Sequence, residues 1–133
     1  MTDGMGTIKK KRVLILDDEE MIRELTRDIF QLMGFDVETA GTGEEALELF
    51  SRALEEDKAF DMVIFDLTLP GEMDGVETLR AVRKLDPNVK AIVSSGYSED
   101  NIMSAYKDFG FDAAVPKPYT ITSLQEAIAS ILD

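Results

Sequence analysis

Short apolar runs alternate with longer amphipathic stretches along the chain. Val13-Leu14-Ile15-Leu16, Met62-Val63-Ile64-Phe65 and Ala91-Ile92-Val93-Ser94 are almost unbroken in apolar character and partly β-branched, the pattern of strands covered on both faces. Weaker runs at residues 36–40 and 113–115 bring the expected strands to five. Between them, apolar positions recur at helical spacing: Ile22, Leu25, Ile29 and Leu32, then Ala46, Leu47, Phe50, Ala53 and Leu54, and finally Leu124, Ala127, Ile128, Ile131 and Leu132. Residues 98–109 read as a further helix, with Met103 and Tyr106 among polar neighbours. Thr42 with Glu45, Asp74 with Glu77 and Thr122 with Gln125 have the spacing of N-terminal capping boxes, and Gly34 and Gly110 stand where helices should stop. Strand starts near 13, 36, 62, 90 and 113 recur about every 25 residues, the length of a strand, a crossover helix and short loops. Such repeating units predict a parallel sheet sandwiched between helices.

For five units this means a three-layer α/β sandwich, a flavodoxin-like doubly wound sheet of order 2-1-3-4-5 with five helices. Its ligand site lies beyond the carboxyl ends of the strands, where the order reverses between strands one and three. The residues after the strands are therefore the informative ones. Strand one is followed by Asp17-Asp18-Glu19-Glu20, strand three by Asp66, strand four by Ser94-Ser95-Gly96 and strand five by Lys117-Pro118. Strand two, away from the switch point, ends in bland Ala40-Gly41.

Composition narrows the chemistry. The 133 residues contain no Cys and no His, which excludes disulfides, thiolate metal sites, thiol catalysis and a Ser-His-Asp hydrolase. Lys plus Arg number 14 against 27 Asp plus Glu, a net charge of −13, which disfavours nucleic acid and anionic membrane as partners. No apolar run is long enough to span a bilayer and the start lacks the form of a secretory signal, so a cytoplasmic location is expected. Carboxylates gathered at one sheet edge repel, by about 4 kcal/mol per pair at 4 Å and an effective dielectric of 20. A cation should sit among them, and an all-oxygen site suits Mg²⁺. Asp66 then has the chemistry of a carboxylate nucleophile toward phosphorus, with Lys117 and a Ser hydroxyl holding phosphate oxygens.

The set Val13-Leu14-Ile15-Leu16-Asp17-Asp18-Glu19, Phe65-Asp66-Leu67-Thr68-Leu69-Pro70, Val93-Ser94-Ser95-Gly96-Tyr97 and Lys117-Pro118-Tyr119 resembles the receiver domain of two-component response regulators. It is chemotaxis-regulator-like and also similar to receivers of hybrid sensor histidine kinases. The resemblance covers residues 11–133, behind a flexible lead of residues 1–10. It implies that Asp66 takes a phosphoryl group from a histidine kinase or phosphotransfer protein, and that Asp17, Asp18, Asp66 and the backbone carbonyl of Thr68 organise Mg²⁺, with Mn²⁺ able to replace it. Ser95 would be the switch hydroxyl and Lys117 the phosphate-binding lysine, while Thr68 and Tyr97 would tune the phosphoryl lifetime. The only catalysis implied is the domain's own phosphorylation and dephosphorylation. A downstream target or a second copy would dock on the face formed by the 98–109 helix, the fifth strand and the last helix.

Two departures stand out. Ala114 occupies the position of the family's aromatic switch, three residues before the lysine, and the stretch Pro70-Gly71-Glu72-Met73-Asp74-Gly75 is one residue longer than the commonest spacing. Tyr97 is a candidate to carry the missing packing signal. The main rival is a haloacid-dehalogenase-type phosphatase, which also uses an aspartate nucleophile and Mg²⁺ but needs a second aspartate where Thr68 stands. The stretch Gly41-Thr42-Gly43-Glu44-Glu45-Ala46 mimics a dinucleotide fingerprint, yet its glutamates would face the pyrophosphate. An FMN site is disfavoured for the same reason by Asp17 to Glu20. Asp17 to Glu20 also admit a plainer role, as acidic charge complementing a helix N-terminus.

Overall fold

In the computed structural model, residues 10–67, 69, 73–96, 105–117 and 119–132 are described. Strands β1 (Arg12–Leu16), β2 (Asp36–Ala40), β3 (Met62–Asp66), β4 (Lys90–Ser95) and β5 (Ala113–Pro116) alternate with helices α1 (Glu20–Leu32), α2 (Gly43–Glu55), α3 (Gly75–Leu85) and α4 (Ile121–Ile131). Each strand start falls within a residue of its expected position. The sheet runs β2-β1-β3-β4-β5, every pair parallel, which is the doubly wound order expected. Among the described residues no helix is long and apolar enough to cross a membrane.

The described residues hold four α-helices rather than five. The expected 98–109 helix falls mostly on residues 98–104, outside the described set, and its described end, Tyr106–Phe109, is a 3₁₀ turn. Gly110 closes that turn at φ 97°, and Phe111 N–H donates to the Tyr106 carbonyl at 3.1 Å, a reversal that suits glycine. The last helix also starts earlier than the Thr122–Gln125 pair suggested. Thr120 is its N-cap: its hydroxyl accepts from Ser123 N–H at 2.9 Å while the Ser123 hydroxyl accepts from Thr120 N–H at 3.1 Å. That reciprocal pair leaves Thr122 inside the first turn. Thr42 and Asp74 cap α2 and α3 as expected, accepting from Glu45 N–H at 3.1 Å and Glu77 N–H at 2.9 Å.

Strand alternation divides the core between the two faces of the sheet. On one side Leu14, Leu16, Val63, Phe65 and Val93 meet Ala46 and Phe50 of α2 and Leu79 and Val82 of α3. On the other, Val13, Ile15, Met62, Ile64 and Ile92 meet Ile29 and Phe30 of α1 and Leu124 and Ala127 of α4. Each fully buried Val, Leu, Ile, Phe or Met among them contributes about 1.5–3 kcal/mol. β2 is an edge strand with only Ala40 fully buried, which explains its weak apolar signal. The α2 and α3 helices approach closely at Gly43, where an added Cβ would meet Met73 Cβ at 2.8 Å and collide with the Thr78 hydroxyl. Arg83 ties the far ends of α3, β4 and β5 together, donating to the carbonyls of Val89 at 3.1 Å and Gly110 at 3.0 Å and to the Asp112 carboxylate at 2.9 Å.

Candidate functional site

Sheet register fixes the relative height of the polar strand ends. Leu16 pairs with Phe65, so Asp17 and Asp66 leave neighbouring strands at the same level, and Asp66 pairs in turn with Ser94. Ser95 pairs with Pro116, and Lys117 N–H donates to the Ser95 carbonyl at 2.8 Å. Three central strands and one edge strand thus deliver carboxylates, hydroxyls and an ammonium to one rim.

Asp17 and Asp66 are buried, 1% and 6% exposed, whereas Asp18 lies open to solvent. Oxygen atoms of the three carboxylates all come within 4.8 Å of one another. Lys117 Nζ lies 2.6 Å from Asp17 Oδ2 and 3.0 Å from Asp66 Oδ2. Burial disfavours the Lys117 ammonium, but its bonds to Asp17 and Asp66 outweigh that and hold its pKa above the usual lysine range. A single ammonium cannot offset three carboxylates, and the remaining excess of negative charge and oxygen donors matches a hard divalent cation.

The loop after β1 is fixed from several directions. Asp17 N–H donates to the Ala40 carbonyl at 3.2 Å, and Asp17 Oδ1 accepts from Glu19 N–H at 2.9 Å. Arg23, on α1, reaches back so that Nη1 donates to the Asp17 carbonyl at 2.9 Å. Arg23 is a residue that sequence reasoning missed. The signal available was only an arginine six residues after the first aspartate.

The Ser95 hydroxyl is buried and has no hydrogen-bond partner among the described residues, so it retains a donor for an oxygen-rich ligand. Ser94 is equally buried, its hydroxyl likewise has no hydrogen-bond partner among the described residues, and the Tyr119 phenol lies nearby. Burial pushes that phenol up to about 12, with Ser94 acting the other way. Ala114 is partly buried against the α2–α3 side of the core together with Tyr106. Thr68, Tyr97 and Pro118 lie outside the described residues. The structure therefore brings together Asp17, Asp18, Asp66 and Lys117, and it sets Ser95 at the end of the adjoining strand.

Comparison with known proteins identifies the family. The family model for the response regulator receiver domain matches residues 13–129. The chain is 31% identical over 122 residues to the chemotaxis protein CheY of Thermotoga maritima, covering 91% of this chain and 97% of that protein. It is 36% identical over 124 residues to the sensor kinase CckA of Brucella abortus, covering 91% of this chain but 12% of the kinase. Among solved structures, the CheX-CheY-BeF3-Mg+2 complex from Borrelia burgdorferi aligns with a TM-score of 0.81 at 26% identity, over 92% of this chain and 90% of that one. The chain belongs to the response regulator receiver domain family. It is a phosphoaccepting signalling module of the two-component type, and the phosphatase alternative finds no support.

Proposed function

We propose that Asp66 is the phosphoacceptor of this receiver, and that residues 11–133 form the working unit. The observation that carries this reading is Lys117 held between the buried carboxylates of Asp17 and Asp66 at 2.6 and 3.0 Å, the position from which one cation can follow a charge transferred onto Asp66. In the reaction an Asp66 oxygen attacks phosphorus in line with the phosphoramidate bond of a histidine donor. The new P–O bond forms as the P–N bond breaks, and the departing imidazole recovers a proton from solvent. Lys117 then meets the phosphoryl oxygens, and the buried Ser95 hydroxyl supplies a further donor. Asp17, Asp18 and Asp66 would hold Mg²⁺, or Mn²⁺ in its place, with the Thr68 carbonyl completing the set. The bound ion would offset negative charge shared between the carboxylates and the phosphoryl group.

Exposed apolar residues on α1 support a donor of compatible surface. Met21 and Leu32 are 82% and 81% exposed and Leu25 is 47% exposed, on the helix that begins two residues after Asp18. A histidine kinase or phosphotransfer protein engaging that helix would bring its phosphohistidine to the rim. Output would pass to a protein target or a second copy through the face that includes β5 and α4, with Thr68 and Tyr97 tuning the phosphoryl lifetime. The setting is cytoplasmic.

Intact mass tests the assignment. Incubation with Mg²⁺ and a small acyl phosphate should add one phosphoryl group in a base-labile acyl linkage. Asp66→Asn or omission of Mg²⁺ should abolish the adduct, and a full adduct in the Asn variant would rule out Asp66 as the nucleophile.

A stability measurement separates a crowded acidic pocket from simple helix-end charges. If Asp18 crowds Asp17 and Asp66, Asp18→Asn should stabilise the metal-free protein by roughly 1 kcal/mol. If it merely complements the α1 N-terminus, the same change should cost about 0.3–1 kcal/mol. Mg²⁺ at a hundred times its dissociation constant should stabilise the parent by about 2.7 kcal/mol and the variant much less. Denaturant melts in EDTA and in Mg²⁺ read both signs.

A further inference from the structure

We infer that Arg23 is a positioning residue for the acidic pocket. It sets the peptide that joins Asp17 to Asp18 and thereby the divalent-ion affinity of the pair. The inference rests on the reading that these carboxylates hold Mg²⁺, and goes beyond it by assigning the orientation of the pair to a side chain outside the cluster.

The carbonyl of Asp17 and the N–H of Asp18 belong to one planar peptide. Rotating that plane swings the buried Asp17 and the exposed Asp18 relative to each other. The amide before Asp17 is bound into the sheet through Ala40 at 3.2 Å, and the Asp17 carboxylate is bound locally by Glu19 N–H at 2.9 Å. The carbonyl side is held by Arg23 Nη1 at 2.9 Å, in a partly buried setting. A charge-assisted bond of this length is among the stronger ones a carbonyl can accept. Without it, the peptide between Asp17 and solvent-exposed Asp18 is restrained only by the Glu19 N–H bond that spans it, and binding an ion would have to arrest the added freedom.

Gly41 makes this geometry available. It lies beyond the end of β2, and a Cβ there would stand 3.1 Å from Arg23 Nη1 and 3.6 Å from its Cζ. Gly41 N–H is bound to Glu45 Oε1 at 2.8 Å, so the loop is itself anchored by α2. The guanidinium therefore sits between the β1–α1 loop on one side and an anchored loop on the other. A side chain at position 41 would push it from behind without changing its charge.

The test uses the full chain and Mg²⁺ alone. Calorimetric titration gives its affinity, at a temperature where circular dichroism finds each metal-free variant folded. Arg23→Met keeps the stem but removes the donor, and should weaken Mg²⁺ roughly tenfold, as losses of outer-shell partners do. Gly41→Val leaves the guanidinium charge in place and should weaken Mg²⁺ in the same direction. Parent affinity in Arg23→Met would overturn the inference. A loss in Arg23→Met with none in Gly41→Val would also overturn it, because the charge of Arg23 and not its bond to the carbonyl would then be responsible. A parent that takes up no Mg²⁺ would instead overturn the underlying reading of the carboxylates. If Arg23→Met does not fold, Gly41→Val alone decides: unchanged affinity counts against the bond and reduced affinity supports it.

Discussion

Gly75→Ala is expected to destabilise the protein by about 3 kcal/mol or more, the upper range for forcing extra volume into a packed site. Gly75 opens α3, and its N–H donates to the Leu67 carbonyl at 3.2 Å. A Cβ built there would run into the Asp66 carbonyl oxygen and stand 3.0 Å from the Asp66 carbonyl carbon and 3.1 Å from Leu67 Cα. All three are backbone atoms at the end of a central strand, so no side chain can rotate away to make room. Relief requires α3 to move outward or the end of β3 to bend, and either displaces the Asp66 carboxylate. Phosphoryl uptake should fall together with stability, whereas an exposed glycine such as Gly34, with nothing within 4 Å of its Cβ position, should tolerate the added volume, though its φ of 91° still favours glycine. Urea melts and intact-mass phosphorylation of Gly75→Ala provide the check. A variant that melts like the parent would show that the end of β3 yields easily.

Lys117→Met is expected to cost about 3–5 kcal/mol in metal-free protein at neutral pH, the usual cost of removing one partner from a buried charge pair. The methionine leaves Asp17 and Asp66 buried and facing each other without the ammonium that now lies within 3.0 Å of both. A second change, Asp66→Asn, removes one of the two buried carboxylate charges and should restore much of the loss. Alkaline pH should act on the parent in the same sense. The folded-state pKa of Lys117 is raised, so its contribution is complete below the ordinary lysine value, about 10.4, and declines as pH rises toward the folded value. Tyr119, pushed up to about 12, also binds its proton more tightly when folded and loses its contribution from about pH 10 upward. Stability of the parent should therefore drop above pH 10, and Lys117→Met should show a shallower decline. Parallel pH profiles would remove Lys117 from the explanation.

The strand ends were legible because their signals are of the simplest kind. A four-residue apolar run covered on both faces cannot easily be anything else in a chain of this length, and the first polar residue after it has to emerge at the rim. That logic reached Asp17, Asp66, the Ser94–Ser95 pair and Lys117 without coordinates, and the choice of Ser95 within the pair came from the family resemblance. It failed for Arg23 because its partner is a backbone carbonyl, which every residue carries and which therefore leaves no mark in sequence. The cap of α4 was misplaced for a related reason: Thr120-Ile121-Thr122-Ser123 offers two threonines in succession, and only the reach of the Ser123 hydroxyl back to Thr120 N–H selects the first. The close approach at Gly75 was equally hidden, since a glycine that makes room for backbone reads like one that merely turns a loop.

The pairing of Leu16 with Phe65 and of Asp66 with Ser94 has a consequence for how such a molecule can change its allegiances. The distance between Asp17 and Asp66 is inherited from the hydrogen-bonded lattice of the central strands, while Met21, Leu25 and Leu32 stand on the outer side of α1, away from that lattice. On the proposed reading, chemistry and address are thus written in different layers of the sandwich. If the donor docks on α1 as proposed, replacing the outward residues would rewrite the address and leave the spacing of the carboxylates untouched, so a new signalling connection would demand no reinvention of the reaction it carries.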